Sequence, residues 1–165
     1  FGSGLEDRFS KGEITIEEVF QHMKKACGLN MDKKDFISAY ADIFEPNQRV
    51  IEIARNLSDL YRLQLFSDTN PVHYNLVVKP SPLFSLFDAE TISFKIGEVK
   101  TSKKGYKDMI RKSNCKPEKI IFIDDYKEHI DIADSLGING IVFESQEQLE
   151  EDLKELGVLP EDFSF

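Results

Sequence analysis

Ile120-Ile121-Phe122-Ile123-Asp124-Asp125 is the stretch on which the fold turns. Four apolar residues in a row, closed by two carboxylates, suit a central parallel strand with both faces buried and its tip at a polar rim. Downstream, Ile130, Ala133 and Leu136 recur at helical spacing, and Gly137 stands where a C-cap belongs. Ile141-Val142-Phe143 reads as the next strand. Ser145 and Gln148 form a capping box, and Leu149, Leu153 and Leu156 line the helix that it opens before Gly157.

Upstream, Ser102 is a candidate cap for a helix whose buried side is Tyr106, Met109 and Ile110. Thr91-Ile92-Ser93-Phe94 reads as a strand. Residues 71–87 form a mixed apolar segment broken by Pro80 and Pro82. Leu63, Leu65 and Phe66 form a short strand ending at Ser67-Asp68-Thr69-Asn70. This alternation of strand and helix predicts a Rossmann-like α/β core, a parallel sheet between two layers of helices. It begins near Pro46, which opens a helix at a favoured first position, with Val50, Ile51, Ala54 and Leu57 on one face.

Residues 1–45 have a different texture. Thr15 and Glu18 make a capping box ahead of Ile16, Val19, Phe20, Met23 and Cys27, and Gly28 stops that helix. Asp32 caps a second helix with Phe36, Ile37, Tyr40, Ile43 and Phe44 as its apolar stripe. The division expected is a helical unit over 1–45 and an α/β core over 46–165.

The chain has 165 residues, of which 41% are hydrophobic and 31% charged, enough to bury a core and solvate a surface. Its formal net charge of −9 disfavours nucleic acids and anionic membranes as partners, since both are polyanions. Cys27 and Cys115 are far apart and form neither a disulfide framework nor a zinc motif, which fits a reducing, cytoplasmic setting. No apolar run approaches the roughly 20 residues that span a bilayer. Phe1-Gly2-Ser3-Gly4 lacks the basic and apolar regions of a signal peptide. The start without methionine, already inside a helical pattern, suggests a piece of a longer protein.

In open parallel sheets, ligands bind beyond the C-terminal ends of the strands. Polar groups cluster there at Ser67-Asp68 and at Asp124-Asp125, and Lys100 follows a third strand. Adjacent carboxylates supply hard oxygen ligands for Mg²⁺. A serine hydroxyl and backbone N–H groups suit phosphoryl oxygens, and a lysine neutralises their charge. Each cluster also has a plain reading. Asp124-Asp125 fits a helix cap and solvated turn, Ser67 to Asn70 an ordinary turn, and Lys100 a solvated cluster with Lys95, Lys103 and Lys104. His22, His73 and His129 read as surface or helix-end histidines. Tyr40 and Phe44 read as core, with substrate access as the alternative.

The order of the three clusters resembles the haloacid dehalogenase-like (HAD) hydrolase superfamily. Its second motif is matched by Leu65-Phe66-Ser67-Asp68-Thr69-Asn70 and its third by Gly97-Glu98-Val99-Lys100-Thr101. Its fourth is matched by Ile120 to Asp125 with Ala133-Asp134-Ser135-Leu136-Gly137-Ile138 after it. Phe9-Ser10-Lys11-Gly12-Glu13-Ile14-Thr15 is similar to the middle of the helical cap in one subgroup. The look is nearest to small sugar-phosphate phosphatases and the phosphatase domain of epoxide hydrolase. The resemblance implies a Mg²⁺-dependent hydrolase of phosphate monoesters, acting on a small phosphorylated metabolite through an aspartyl-phosphate. It implies that Ser67 and the backbone at Asp68 bind the phosphoryl group and that Lys100 bridges it to the nucleophile. Asp125 would bind the metal directly, and Asp124 directly or through water.

Three departures stand out. The family's first motif, Asp-x-Asp, occurs nowhere in the 165 residues; it supplies the nucleophile, so this chain alone is expected to be inactive. Position 68 is Asp where the subgroup often has Asn, and Thr101 replaces a proline. In the family's sheet the first strand lies between those ending at Ser67 and Asp124, and its loss would leave both with unpaired backbone. A non-catalytic binding remnant is the alternative. A 2-haloacid dehalogenase is disfavoured, because such enzymes need no metal. A phospho-receiver module is disfavoured by chain order, because its acid pair precedes its lysine.

Overall fold

A computed structural model describes residues 4–163, so the first three residues of the tetrapeptide discussed above lie outside the described residues. Three helices come first: α1 (Leu5–Ser10), α2 (Ile16–Cys27) and α3 (Lys33–Ala41). Thr15 caps α2 in a complete capping box with Glu18, and Asp32 caps α3, as the residue types dictate. Phe9, Ile14, Val19, Phe20 and Phe36 bury one another, and Val72 from the chain beyond joins them. α3 stops at Ala41, shorter than its apolar stripe implies. Ile43 and Phe44 therefore lie past its end and are exposed.

Gly12 brings this unit against the rest. Its φ is +72°, and a Cβ there would lie 2.8 Å from the Phe94 carbonyl oxygen. Only glycine accommodates both the left-handed backbone and the close approach.

The remaining elements are α4 (Gln48–Ser58), β1 (Leu63–Ser67), α5 (Pro71–His73), β2 (Phe87–Ile92), α6 (Ser93–Ile96), α7 (Lys103–Ser113), β3 (Ile121–Asp124), α8 (Lys127–Asp134), β4 (Asn139–Val142) and α9 (Gln146–Glu155). A π-helical turn, Tyr74–Val78, extends α5, and a 3₁₀ turn, Pro82–Leu86, leads into β2. Two expectations shift here. The cap of α4 is Asn47, whose side chain accepts the Val50 N–H, so Pro46 lies outside the helix. The second strand starts at Phe87 rather than Thr91, and Ser93 and Phe94 are helical.

All strand pairing is parallel, but it falls into two separate pairs, β1 with β2 and β3 with β4. Side-chain alternation sorts the strand residues between two layers. Phe66 and Phe122 pack with Tyr106 and Met109 of α7 and Ile130 and Ala133 of α8. On the opposite face, Leu63, Ile121 and Ile141 pack with Ile53 and Leu57 of α4 and Leu149 and Leu153 of α9. That is the expected three-layer arrangement. The two pairs meet through rings rather than backbone, with the Phe66 and Phe122 centroids 5.8 Å apart. β3 is not buried on both faces as its composition suggested. Ile123 is 37% exposed, because β3 is paired on one side only. Among the described residues no helix is long and apolar enough to cross a membrane.

Candidate active site

The ends of β1 and β3 meet around Lys100. Its ammonium donates to Asp124 Oδ2 at 2.5 Å, with 13% and 3% of the two side chains exposed. It also lies 5.5 Å above the Phe66 ring and 5.8 Å above the Phe122 ring. Its backbone N–H reaches back to the loop after β1, donating to Asp68 Oδ1 at 3.1 Å and Oδ2 at 2.9 Å. Ser67 closes β1 between Phe66 and Asp68, both of which touch Lys100. Asp125 adjoins Asp124 at the tip of β3. All five residues singled out in the sequence thus share one rim.

Lys100 is therefore no part of a solvated cluster. Lys95 instead pairs with Glu90, and Lys104 with Glu98. The two acids differ sharply as well. Asp124 is saturated by protein donors: Lys100 on Oδ2, and on Oδ1 the Tyr126 N–H at 2.9 Å and His129 Nδ1 at 2.8 Å. Burial pushes the Asp124 carboxyl upward, but Lys100, the Tyr126 N–H and His129 outweigh it and hold it below the usual carboxylate range. Asp125 is exposed and makes no hydrogen bond or ion pair among the described residues. The Asp68 carboxyl is pushed up, first by burial, against the opposing pull of Lys100 and His129.

His129 went unrecognised in the sequence, where it reads as a surface residue. It is largely buried, with 14% of its side chain exposed. An ionised Asp124 can only accept, so His129 Nδ1 carries the proton of that contact. The clue was spacing: one helical turn into α8 returns a side chain over the strand tip. Behind it, the fully buried Tyr106 donates to the His129 carbonyl at 2.9 Å. Ser93 was missed too. Its hydroxyl donates to the Thr69 carbonyl at 2.9 Å and accepts the Thr69 N–H at 3.0 Å, fixing the loop after β1. His73 is likewise buried, whereas His22 is exposed as read.

Among the described residues, no three His, Cys, Asp or Glu side chains gather into a ready metal cage. Mg²⁺ does not require one, since it keeps several waters and takes one or two carboxylates plus substrate phosphate oxygens. An exposed Asp125 beside the rim fits that demand in kind. Asp124 fits less directly, because Lys100 and His129 already occupy both of its oxygens. Two surface grooves lie elsewhere. One, of about 580 Å³, runs along β4 and α9; the other, of about 530 Å³, lies between the Gly12 loop and α5.

No protein-family model matches the chain. Two characterised proteins are similar to it in sequence. D-ribitol-5-phosphate phosphatase of Bacteroides thetaiotaomicron is 24% identical over 142 residues, covering 82% of this chain and 69% of that protein. Flavin mononucleotide hydrolase 1 of Arabidopsis thaliana is 26% identical over 151 residues, covering 91% of this chain but only 61% of that protein. Among solved structures, a protein described as a predicted HAD-like family hydrolase from Porphyromonas gingivalis superposes with a TM-score of 0.80 at 25% identity, covering 94% of this chain and 79% of that one. A HAD family enzyme from Bacteroides thetaiotaomicron, in complex with magnesium and inorganic phosphate, gives 0.77 at 22% identity, covering 88% and 80%. The three-layer fold is thus that of HAD family enzymes, and in sequence the chain is similar to two phosphate-ester hydrolases.

Proposed function

We propose that this chain forms most of a Mg²⁺-dependent phosphatase that hydrolyses the monoester of a small phosphorylated metabolite. The observation that carries the reading is the meeting of Ser67-Asp68, Lys100 and Asp124-Asp125 at one rim, with a half-buried lysine reaching from one strand pair to the other. Residues 1–45 would act as a helical cap over a core formed by 46–165.

The assignment of roles follows from which groups are already engaged. Ser67 and the N–H groups of the loop after β1 would receive phosphoryl oxygens. Lys100, fixed by Asp124, would neutralise charge building on the phosphoryl group. Asp68, which braces the Lys100 backbone, would shape the loop rather than face the anion. Asp125, with Asp124 in support, would hold the metal, which when bound offsets phosphate charge as a Lewis acid. The attacking group would be a carboxylate that becomes an aspartyl-phosphate. As no Asp-x-Asp occurs in these residues, it would come from a strand outside them, seated between β1 and β3. The unjoined strand pairs support that placement.

The missing motif favours one other reading, a non-catalytic phosphate-binding protein. An assay separates the two. Supplied with a strand that carries Asp-x-Asp, the protein is expected to release phosphate from at least one alditol, sugar or flavin phosphate when Mg²⁺ is present, and to stop with EDTA. Lys100→Met is expected to slow turnover by about a hundredfold or more, the usual cost of losing a charge-stabilising donor. An Asp-x-Asp-bearing protein inactive on every phosphate ester, with Mg²⁺ present, defeats the hydrolase reading.

A further inference from the structure

A second polar cluster lies away from Lys100, where the helical unit meets the loop after β1. Asn70, only 1% exposed, is its hub. Its Oδ1 accepts the N–H groups of Val72 and His73, both at 3.0 Å, which fixes the orientation of the amide. Its Nδ2 therefore points at Tyr40 Oη (3.1 Å), Glu6 Oε1 (3.2 Å) and His73 Nδ1 (3.1 Å). The Tyr40 hydroxyl donates its proton to Glu6, 2.8 Å away at Oε2. Because His73 Nδ1 faces a donor, Nε2 carries the ring proton and donates it to the Tyr40 carbonyl at 2.8 Å. That carbonyl belongs to the last turn of α3, where the helix leaves its acceptors without partners. The His73 and Tyr40 rings stack at 4.6 Å, and Phe44 meets His73 edge-on at 4.9 Å.

The bonds of Glu6, of the Tyr40 hydroxyl and carbonyl, and of His73 Nε2 tie one segment to another: Glu6 from α1, Tyr40 from α3, Asn70 from the loop that follows Ser67 and His73 from α5. Ser93 grips Thr69 from the core side of the same loop. We propose that Glu6, Tyr40, Asn70 and His73 form a latch that couples the seating of the helical unit to the conformation of the Ser67–Asn70 loop. Asn70 and Tyr40 are then positioning residues: undocking α3 strips Asn70 of its outward partners and loosens the turn that it caps. Only the statement that this loop holds phosphate rests on the proposed function, and the test below uses no phosphate.

Amide hydrogen exchange on the whole chain reads the latch directly. Tyr40→Phe keeps the stacked ring and removes only the hydroxyl. It is expected to speed exchange of the Val72 and His73 amides by about tenfold, the effect of one net hydrogen bond, while Ile130 and Leu149 keep their protection. Glu6→Leu is expected to do the same, and Glu6→Gln, which retains an acceptor, to stay within about threefold of the parent, a partial loss on the same scale. Unchanged protection at Val72 and His73 in Tyr40→Phe overturns the latch. So does a uniform loss that includes Ile130 and Leu149, or equal effects of Glu6→Gln and Glu6→Leu.

Discussion

Replacing Lys100 with methionine tests the heart of the site without any substrate. The substitution keeps most of the apolar stem over Phe66 and Phe122 and deletes the ammonium. Asp124, with 3% of its side chain exposed, then keeps the Tyr126 N–H and His129 but loses its lysine charge partner. Breaking a buried pair from one side costs about 3–5 kcal/mol. The two surviving donors put the expected loss at the low end, about 3 kcal/mol, or a fall of about 6–12 °C in Tm for a chain of this size. Removing both partners, as in Lys100→Met with Asp124→Leu, is expected to recover at least half of that, since no charge is left stranded.

The loss also has a pH signature. In the parent, the folded Asp124 carboxyl is depressed, so its contribution is present above the unfolded value of about 3.9 and fades only as pH falls through the lower folded value. In Lys100→Met, burial is no longer offset by the ammonium, so the folded value rises. The variant's penalty is therefore full near neutrality and shrinks as pH falls through that raised value. Urea titrations followed by circular dichroism in metal-free buffer, at neutral pH and near pH 4.5, a value between the unfolded carboxylate range and neutrality, should show the gap closing toward acid. A gap that is absent at neutrality, or constant with pH, refutes the assignment of Lys100 as Asp124's charge partner.

Gly140→Ala places a Cβ 2.4 Å from Ile130 Cγ2 and 2.8 Å from Asp134 Oδ1; this overpacking between β4 and α8 should cost about 1–3 kcal/mol by urea denaturation. Ser145→Ala removes the hydroxyl that accepts the Gln148 N–H at 3.1 Å and should cost about 1 kcal/mol, with exchange accelerating first at the start of α9. Because β1 and β3 each pair on one side only and Ile123 is partly exposed, the chain by itself should self-associate with rising concentration. A single monomeric species throughout a sedimentation-velocity series, with a two-state melt, would count against that.

Much of this was legible in the residue order. Capping boxes at Thr15 and Ser145 and caps at Asp32 and Ser102 act within a few residues, so local sequence sufficed to find them. The apolar run into Asp124 and the polar end of β1 named the rim, because parallel strands present their C-terminal ends together. Errors arose where local signals compete with packing. The stripe through Ile43 and Phe44 kept helical spacing after α3 had ended, and Ser93 and Phe94 look like strand yet turn away helically after β2.

The sequence by itself determined the class of fold, the order of its strands and helices, and the five residues at the rim, since each is set by spacing along one chain. Only the tertiary structure decided how those residues divide their work. That Lys100 and His129 claim Asp124 while Asp125 stays open, that Asn70 and His73 reach across to Tyr40 and Glu6, and that the strands form two pairs joined by rings depend on groups distant in sequence coming within hydrogen-bonding or van der Waals range. Contacts of that range are directional and close, and no periodicity along a single chain encodes which partner will be there.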